Sequence, residues 1–396
     1  VCPSLHRTMV YHMTGLDITG AGAGATVNVE GISTGVEQGL LVVSAKIQSN
    51  GGAITLAGTA AGNHGVFFQG DTAKAISTGS TVGVTGITTS TNEGHFAIFL
   101  EYLPELSGAS GVTLAGTAAA GTGWVTSGGA LINASAGAVQ INATGGAHGA
   151  YLNSGSQING ATGVNVVAEG TNYHGIFMYG PGTQVTSSAG AISVSGTSHS
   201  GGYASYGVEL NNLVQLTAAN GIQITGQAVA GLGIFIWNST SATTANGSLV
   251  LTGTSDSSAG VAIINGSQLN STGVGASAAN IVITGTTSSP YNYGFGLSGS
   301  AILSVDGAIA ITSAGAHAFV SGNSVIESTG VGASVGDISF ANLSGSFYLT
   351  DSRFQTADGS ISVTNSGTEG VVTENMTFRA TGLGGVTFDG GANDVV

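Results

Sequence analysis

The chain has 396 residues, of which 69 are glycine, 42% are apolar and only 6% are charged. Five basic residues against 19 acidic ones give a net charge of −14, which excludes the clustered Lys and Arg that nucleic acids and anionic membranes require. The single cysteine, Cys2, excludes an internal disulfide framework and a thiolate metal cluster, and no run of 18 residues lacks Gly, Ser, Thr and Asn, so no transmembrane helix or membrane insertion is expected.

In chain order, the first segment is residues 1–15, VCPSLHRTMVYHMTG, which differs from the rest in composition and period and reads as a cap, a linker or a junction to a neighbouring subunit. The chain opens on Val1 without a charged-then-apolar leader, the pattern of a processed chain or of a segment of something longer. From residue 16 to 396 an apolar–any–apolar signature, usually followed by Gly, recurs. Its second apolar residue falls at Val29, Leu56, Val84, Leu114, Ile141, Val166, Val194, Ile224, Leu251, Ile283, Ile311, Phe340, Val363 and Phe388. The mean step is near 28 residues, with individual steps of 23 to 32.

Each unit carries two further strands. The second often opens with His or an aromatic residue and then Gly, as in His64-Gly65-Val66-Phe67-Phe68, His148-Gly149-Ala150-Tyr151-Leu152 and Tyr206-Gly207-Val208-Glu209-Leu210. The third holds one inward apolar residue, read as Ile47, Ile76, Ile158, Val185, Leu216, Leu269, Ile326 and Phe354. Period-two alternation and β-branched enrichment favour strands over helices. Three short strands per unit make one coil of a parallel β-helix, so the expected fold is all-β: one continuous solenoid over 16–396, about fourteen coils with Gly at the corners. The segment from Val386 to Val396 reads as a last coil, whose open edge would call for a following or pairing element.

Repeats such as Ile54-Thr55-Leu56-Ala57-Gly58-Thr59, Ile222-Gln223-Ile224-Thr225-Gly226 and Ile281-Val282-Ile283-Thr284-Gly285-Thr286, each followed by a Gly-hydrophobic strand, resemble the β-strand-repeat passengers of filamentous-haemagglutinin-like adhesins and autotransporters. The resemblance, one of repeat style over residues 16–396, implies a right-handed β-helix exported to a bacterial cell surface, with adhesion or matrix roles. The chain lacks that family's secretion domain and C-terminal membrane barrel.

Candidate chemistry is sparse. His64, His95, His148, His174 and His317 start second strands and could align on one corner, but Tyr206, Leu232, Ala259 and Tyr293 take the place in other coils and no Asp or Cys recurs beside them. A stacked ladder is the simpler reading than a metal column, and no cofactor is expected. Parallel β-helices also carry polysaccharide lyases and glycosidases, which makes a carbohydrate-active enzyme the runner-up. The acidic groupings, Glu93/Glu101/Glu105 and Asp351/Arg353/Asp358, read as surface charges, with Arg353 facing outward near Asp351; no catalytic residue is assigned. Gly390-Gly391-Ala392-Asn393-Asp394 is similar to a calcium-binding turn, yet is one residue short and occurs once. Asn-x-Ser/Thr occurs at Asn133, Asn142, Asn238, Asn246, Asn265, Asn270, Asn342 and Asn375, a pattern that arises cheaply in this composition.

The strongest functional signal is an aromatic stripe. Alternation sends the central residue of each second strand outward, and Phe67, Tyr151, Phe177, Phe235, Phe319 and Tyr348 share that position. An outward apolar column marks a contact surface, unless loops fold over it. The reading that follows is a structural extracellular fibre or adhesin stalk, not an enzyme, that associates with copies of itself or attaches to glycans or matrix polymer.

Overall fold

The computed structural model describes residues 11–22, 24–202, 204–275, 278–331, 336–367 and 369–390. Among them the secondary structure is 40 β-strands without an α-helix, and no helix is long and apolar enough to cross a membrane. The strands are parallel and stacked as a β-solenoid with neighbouring turns about 27 residues apart, about 14 turns counted over two compact units, residues 1–199 and 200–396. Within each unit a coil contributes its second strand to one sheet face, and its third and marker strands to another.

In the first unit, the second strands run from Tyr11–Thr14 to Ile176–Tyr179, the third strands from Asp17–Gly20 to Gln184–Ser187, and the marker strands from Val27–Ser33 to Ala191–Ser198. Tyr11–Thr14 pairs with Leu40–Val43, so the stack already includes the last residues of the segment set apart by composition; residues 1–10 lie outside the described residues. The marker residues Val29, Leu56, Val84, Leu114, Ile141, Val166 and Val194 face one another coil upon coil. Ala191–Ser198 shows why: its buried positions alternate strictly with partly exposed ones, which places Ile192 and Val194 in the interior and Ser193 and Ser195 toward the surface.

The second unit repeats the plan from Val208–Asn211 to Val386–Asp389. Its markers Ile224, Leu251, Ile283, Ile311, Phe340, Val363 and Phe388 are again in register. Two strands, Gln215–Ala228 and Ser241–Ser255, run through the corner that elsewhere separates third from marker strand.

Corners leave carbonyls that the ladder cannot reach, and buried hydroxyls take them up. Thr240 donates to the Trp237 carbonyl at 2.9 Å, Ser267 to that of Ile264 at 2.9 Å and Ser324 to that of Ser321 at 2.6 Å. At the corner between marker and second strand the chain folds back against itself, and a Cβ at Gly58 would run into the Gly65 carbonyl oxygen; Gly86, Gly116, Gly226, Gly253 and Gly285 meet the same kind of backbone approach. In the later coils Ser313, Asn342 and Asn365 continue that column in register from Gly285. Asn342 Nδ2 donates to the Ser344 carbonyl at 2.7 Å and to Asn365 Oδ1 at 2.9 Å. A polar side chain, the Ser313 hydroxyl or the Asn342 and Asn365 amides, thus takes over the corner, and the turn shortens: Gly285 to Phe295 is ten residues, whereas Ser313 to Ala318 is five.

One inward assignment shifts, and so does one expected ion pair. Ile47, Ile158, Val185, Leu216, Leu269, Ile326 and Phe354 are buried as expected, but Ile76 aligns with Gln48 on the outer side, and Ala75 is the interior residue of that strand. Arg353 faces outward, and its Nη2 meets Glu327 Oε2 of the adjacent coil at 3.3 Å, whereas Asp351 accepts from Asn375 Nδ2 at 3.0 Å. Stacking brings Arg353 beside the residue one coil away, which outweighs proximity in sequence.

Candidate interaction surface

The central, outward position of the second strands forms a register column in each unit. In the first it reads His12, Leu41, Phe67, Phe99, Val125, Tyr151 and Phe177; in the second, Glu209, Phe235, Ala262, Gly296, Phe319, Tyr348 and Val372. All six aromatic residues singled out from the sequence occupy this position. Most are half-buried by one another: Phe67 is 9% exposed, whereas Tyr348 is 41% exposed.

The rings pack as tiles. Phe67 and Phe99 lie parallel at 4.9 Å between centroids with an interplanar angle of 8°, and Tyr151 and Phe177 at 5.1 Å and 6°. These separations match the spacing of parallel strands, so the backbone ladder itself enforces the ring stack. In the second unit Phe235 stacks on Trp237 at 5.3 Å, and Phe319 meets Tyr293 edge-on at 4.6 Å. Gly296 lies between these last two rings, where a Cβ would collide with both, so the missing side chain is what admits them. Phe99 and Trp237 were not singled out from sequence; Phe99 could have been found by counting from Phe67 through the longer excursion before Ile98.

Histidines border the first unit's tiles. His148 stacks on His174 at 5.1 Å and on Tyr173 at 5.0 Å, and His64 sits 5.2 Å from Phe67. Burial lowers His64 to about 4, with His95 adding repulsion, His148 to about 4, and His174 to about 3, where the neighbouring His148 contributes. The expected single histidine column does not form as drawn. Phe96, not His95, follows His64 in register, since the Gly65 amide bonds the Phe96 carbonyl at 3.0 Å; His95 instead turns to Ser90 at 2.8 Å. His317 lies in the second unit beside Tyr293 and Ser346. No group of three His, Cys, Asp or Glu poised to hold a metal occurs among the described residues.

One charged residue enters the aromatic column. Glu209 is 5% exposed, and its Oε1 accepts from Trp237 Nε1 at 2.9 Å and from Asn211 Nδ2 at 3.1 Å. Burial raises its pKa, against the pull of those two donors. The other acids are not gathered: Glu105 pairs with Lys74 at 2.9 Å, Glu101 accepts from Gln69 at 2.9 Å, and Glu93 lies on an exposed turn. Among the Asn-x-Ser/Thr sites, Asn142, Asn265 and Asn375 are exposed, whereas Asn342 is fully buried in the corner network. Residues 391–394 of the calcium-like turn lie outside the described residues. No protein-family profile, no curated protein and no solved structure matches this chain.

Proposed function

We propose that the protein is a structural extracellular fibre or adhesin stalk that associates with copies of itself, or attaches to glycan-bearing surfaces, through the aromatic columns of its second strands. The observation that carries this reading is the pair of parallel ring stacks, Phe67/Phe99 and Tyr151/Phe177, held on the outward side of a polar, Ser/Thr-rich surface. Aromatic rings offer a large contact area at small entropic loss and can stack on a sugar face or on another ring. Repetition adds such contacts in series, so weak units sum to firm attachment when the partner has matching spacing. The test is the Phe177→Ser/Phe235→Ser double variant, followed by sedimentation, negative-stain imaging and adhesion to glycan-coated surfaces. The expected outcome is weakened assembly or adhesion with the circular-dichroism spectrum of the parent. Unchanged filaments and unchanged adhesion would mean that the columns only cover the core.

A further inference from the structure

The second unit contains a cleft of mixed polar and apolar lining, at the change in corner length described above. The ten-residue passage from Gly285 to Phe295 overhangs the five-residue turn of the next coil, leaving a space of about 450 Å³. That volume lies within the range of small-molecule sites. Thr286, Thr287, Ser289, His317, Ser344 and Glu369 line it.

The hydrogen-bonding state of these groups defines what would fit. Ser289 Oγ already accepts from the Tyr291 amide and from Asn292 Nδ2, so its proton is left to donate. Thr287 Oγ1 likewise accepts from the Ser289 amide at 3.1 Å. Ser344 Oγ donates to the Gly315 carbonyl at 2.6 Å and keeps its lone pairs. The Glu369 carboxylate accepts from Ser346, the register neighbour of His317, and has further acceptor capacity. His317 Nδ1 is buried and has no hydrogen-bond partner among the described residues.

Both donors and acceptors therefore line one concave space, beside the apolar Pro290, Ala314 and Ala316. Groups that are donor and acceptor at once, the hydroxyls of a sugar, satisfy such a lining; an anionic ligand would face Glu369 and a chain of net charge −14. We propose that this cleft binds a neutral saccharide unit. The Ser346 hydroxyl is directed to Glu369 and not to His317, so no nucleophile–base pair is built here and the inference is one of binding. It deepens the attachment reading by naming the ligand class, but uses a site separate from the Phe67/Phe99 and Tyr151/Phe177 stacks.

Saturation-transfer NMR on the whole chain tests it, using glucose, galactose, N-acetylglucosamine and their disaccharides, with glucuronate as the charged comparison. The expected result is millimolar binding of at least one neutral sugar, weaker transfer to glucuronate, and at least about a tenfold loss in both His317→Phe and Ala314→Trp, which fills the cleft. Glu369→Gln, an exposed and isosteric change, serves if either of these fails to keep the parent's melting temperature. No transfer to any neutral sugar, or undiminished transfer in a folded cleft variant, overturns the proposal. Sugar binding that persists in Phe177→Ser/Phe235→Ser separates this site from the aromatic columns, whose failure in assembly would leave the cleft standing.

Discussion

At the residue scale the chemistry of the first unit rests on histidines that stay neutral. The Phe96 amide donates to His64 Nδ1 at 2.9 Å, and the His174 amide to His148 Nδ1 at 3.3 Å, an acceptor role open only to an unprotonated ring nitrogen. Desolvation holds the folded values at about 4 for His64 and His148 and about 3 for His174. The unfolded chain, with values near 6.5, therefore binds more protons through this window. Stability is complete above about pH 6.5, falls as pH drops toward 4 and levels off near 3, His64 and His148 each accounting for roughly 3 kcal/mol and His174 for roughly 5 kcal/mol. Melting temperatures between pH 7 and pH 3.5 should decline more steeply for the parent than for His148→Phe/His174→Phe, which keeps the stacked aromatic area. Identical pH profiles would assign the acid sensitivity to the carboxylates instead.

At the element scale, the strand is the unit whose failure propagates. Ile224 is fully buried and faces Leu251 in the next coil, so Ile224→Asp places a charge where no counter-ion is at hand. A loss of at least about 3 kcal/mol in urea unfolding is expected, and an unchanged midpoint would contradict the inward placement. Such positions were legible from sequence because an interior column accepts only apolar side chains, and every one of the fourteen expected markers lies in its ladder. Legibility ended where that filter weakens. At Lys74-Ala75-Ile76 the small residue is interior and the large one outward, the reverse of what hydropathy suggests. His95 and Phe96 exchanged roles because Gly86 to Ile98 takes twelve residues, and the repeat period fixes strands but not the length of an excursion. The six stripe residues were visible through alternation alone. Glu209 was not, since nothing in local pattern marks a carboxylate that will be bonded by Trp237 from the next coil, and the cleft arises from a difference between two corner lengths.

At the scale of the whole molecule, resistance to proteolysis follows from where the few cations sit. A protease needs a locally unfolded segment several residues long, so cleavage tracks the free energy of local opening. Lys46 lies in a strand flanked by Asp17–Gly20 and Lys74–Ser77, and Lys74 in one flanked by Lys46–Ser49 and Glu105–Gly108. Arg353 is likewise paired on both sides, by Val325 and Thr377. Opening any of these sites breaks two ladders and exposes the interior residues Ile47, Ala75 or Phe354. Arg379 differs: its strand Thr377–Ala380 is paired with Arg353–Thr356, and its burial pattern lacks a fully buried position. Arg7 lies outside the described residues. Native trypsin digestion followed by intact-mass spectrometry should therefore show, among these four sites, cleavage after Arg379 first, while Lys46, Lys74 and Arg353 survive until the chain is heated or denatured. Stacking also predicts the response to a core lesion: in Ile224→Asp, opening around the damaged coil should leave Lys46 and Lys74 protected in the first unit, because nearest-neighbour contacts carry the stability of a repeat array. Early cleavage at Lys46 or Lys74 in the parent would show that the strand ladders there open far more readily than their pairing on both sides implies.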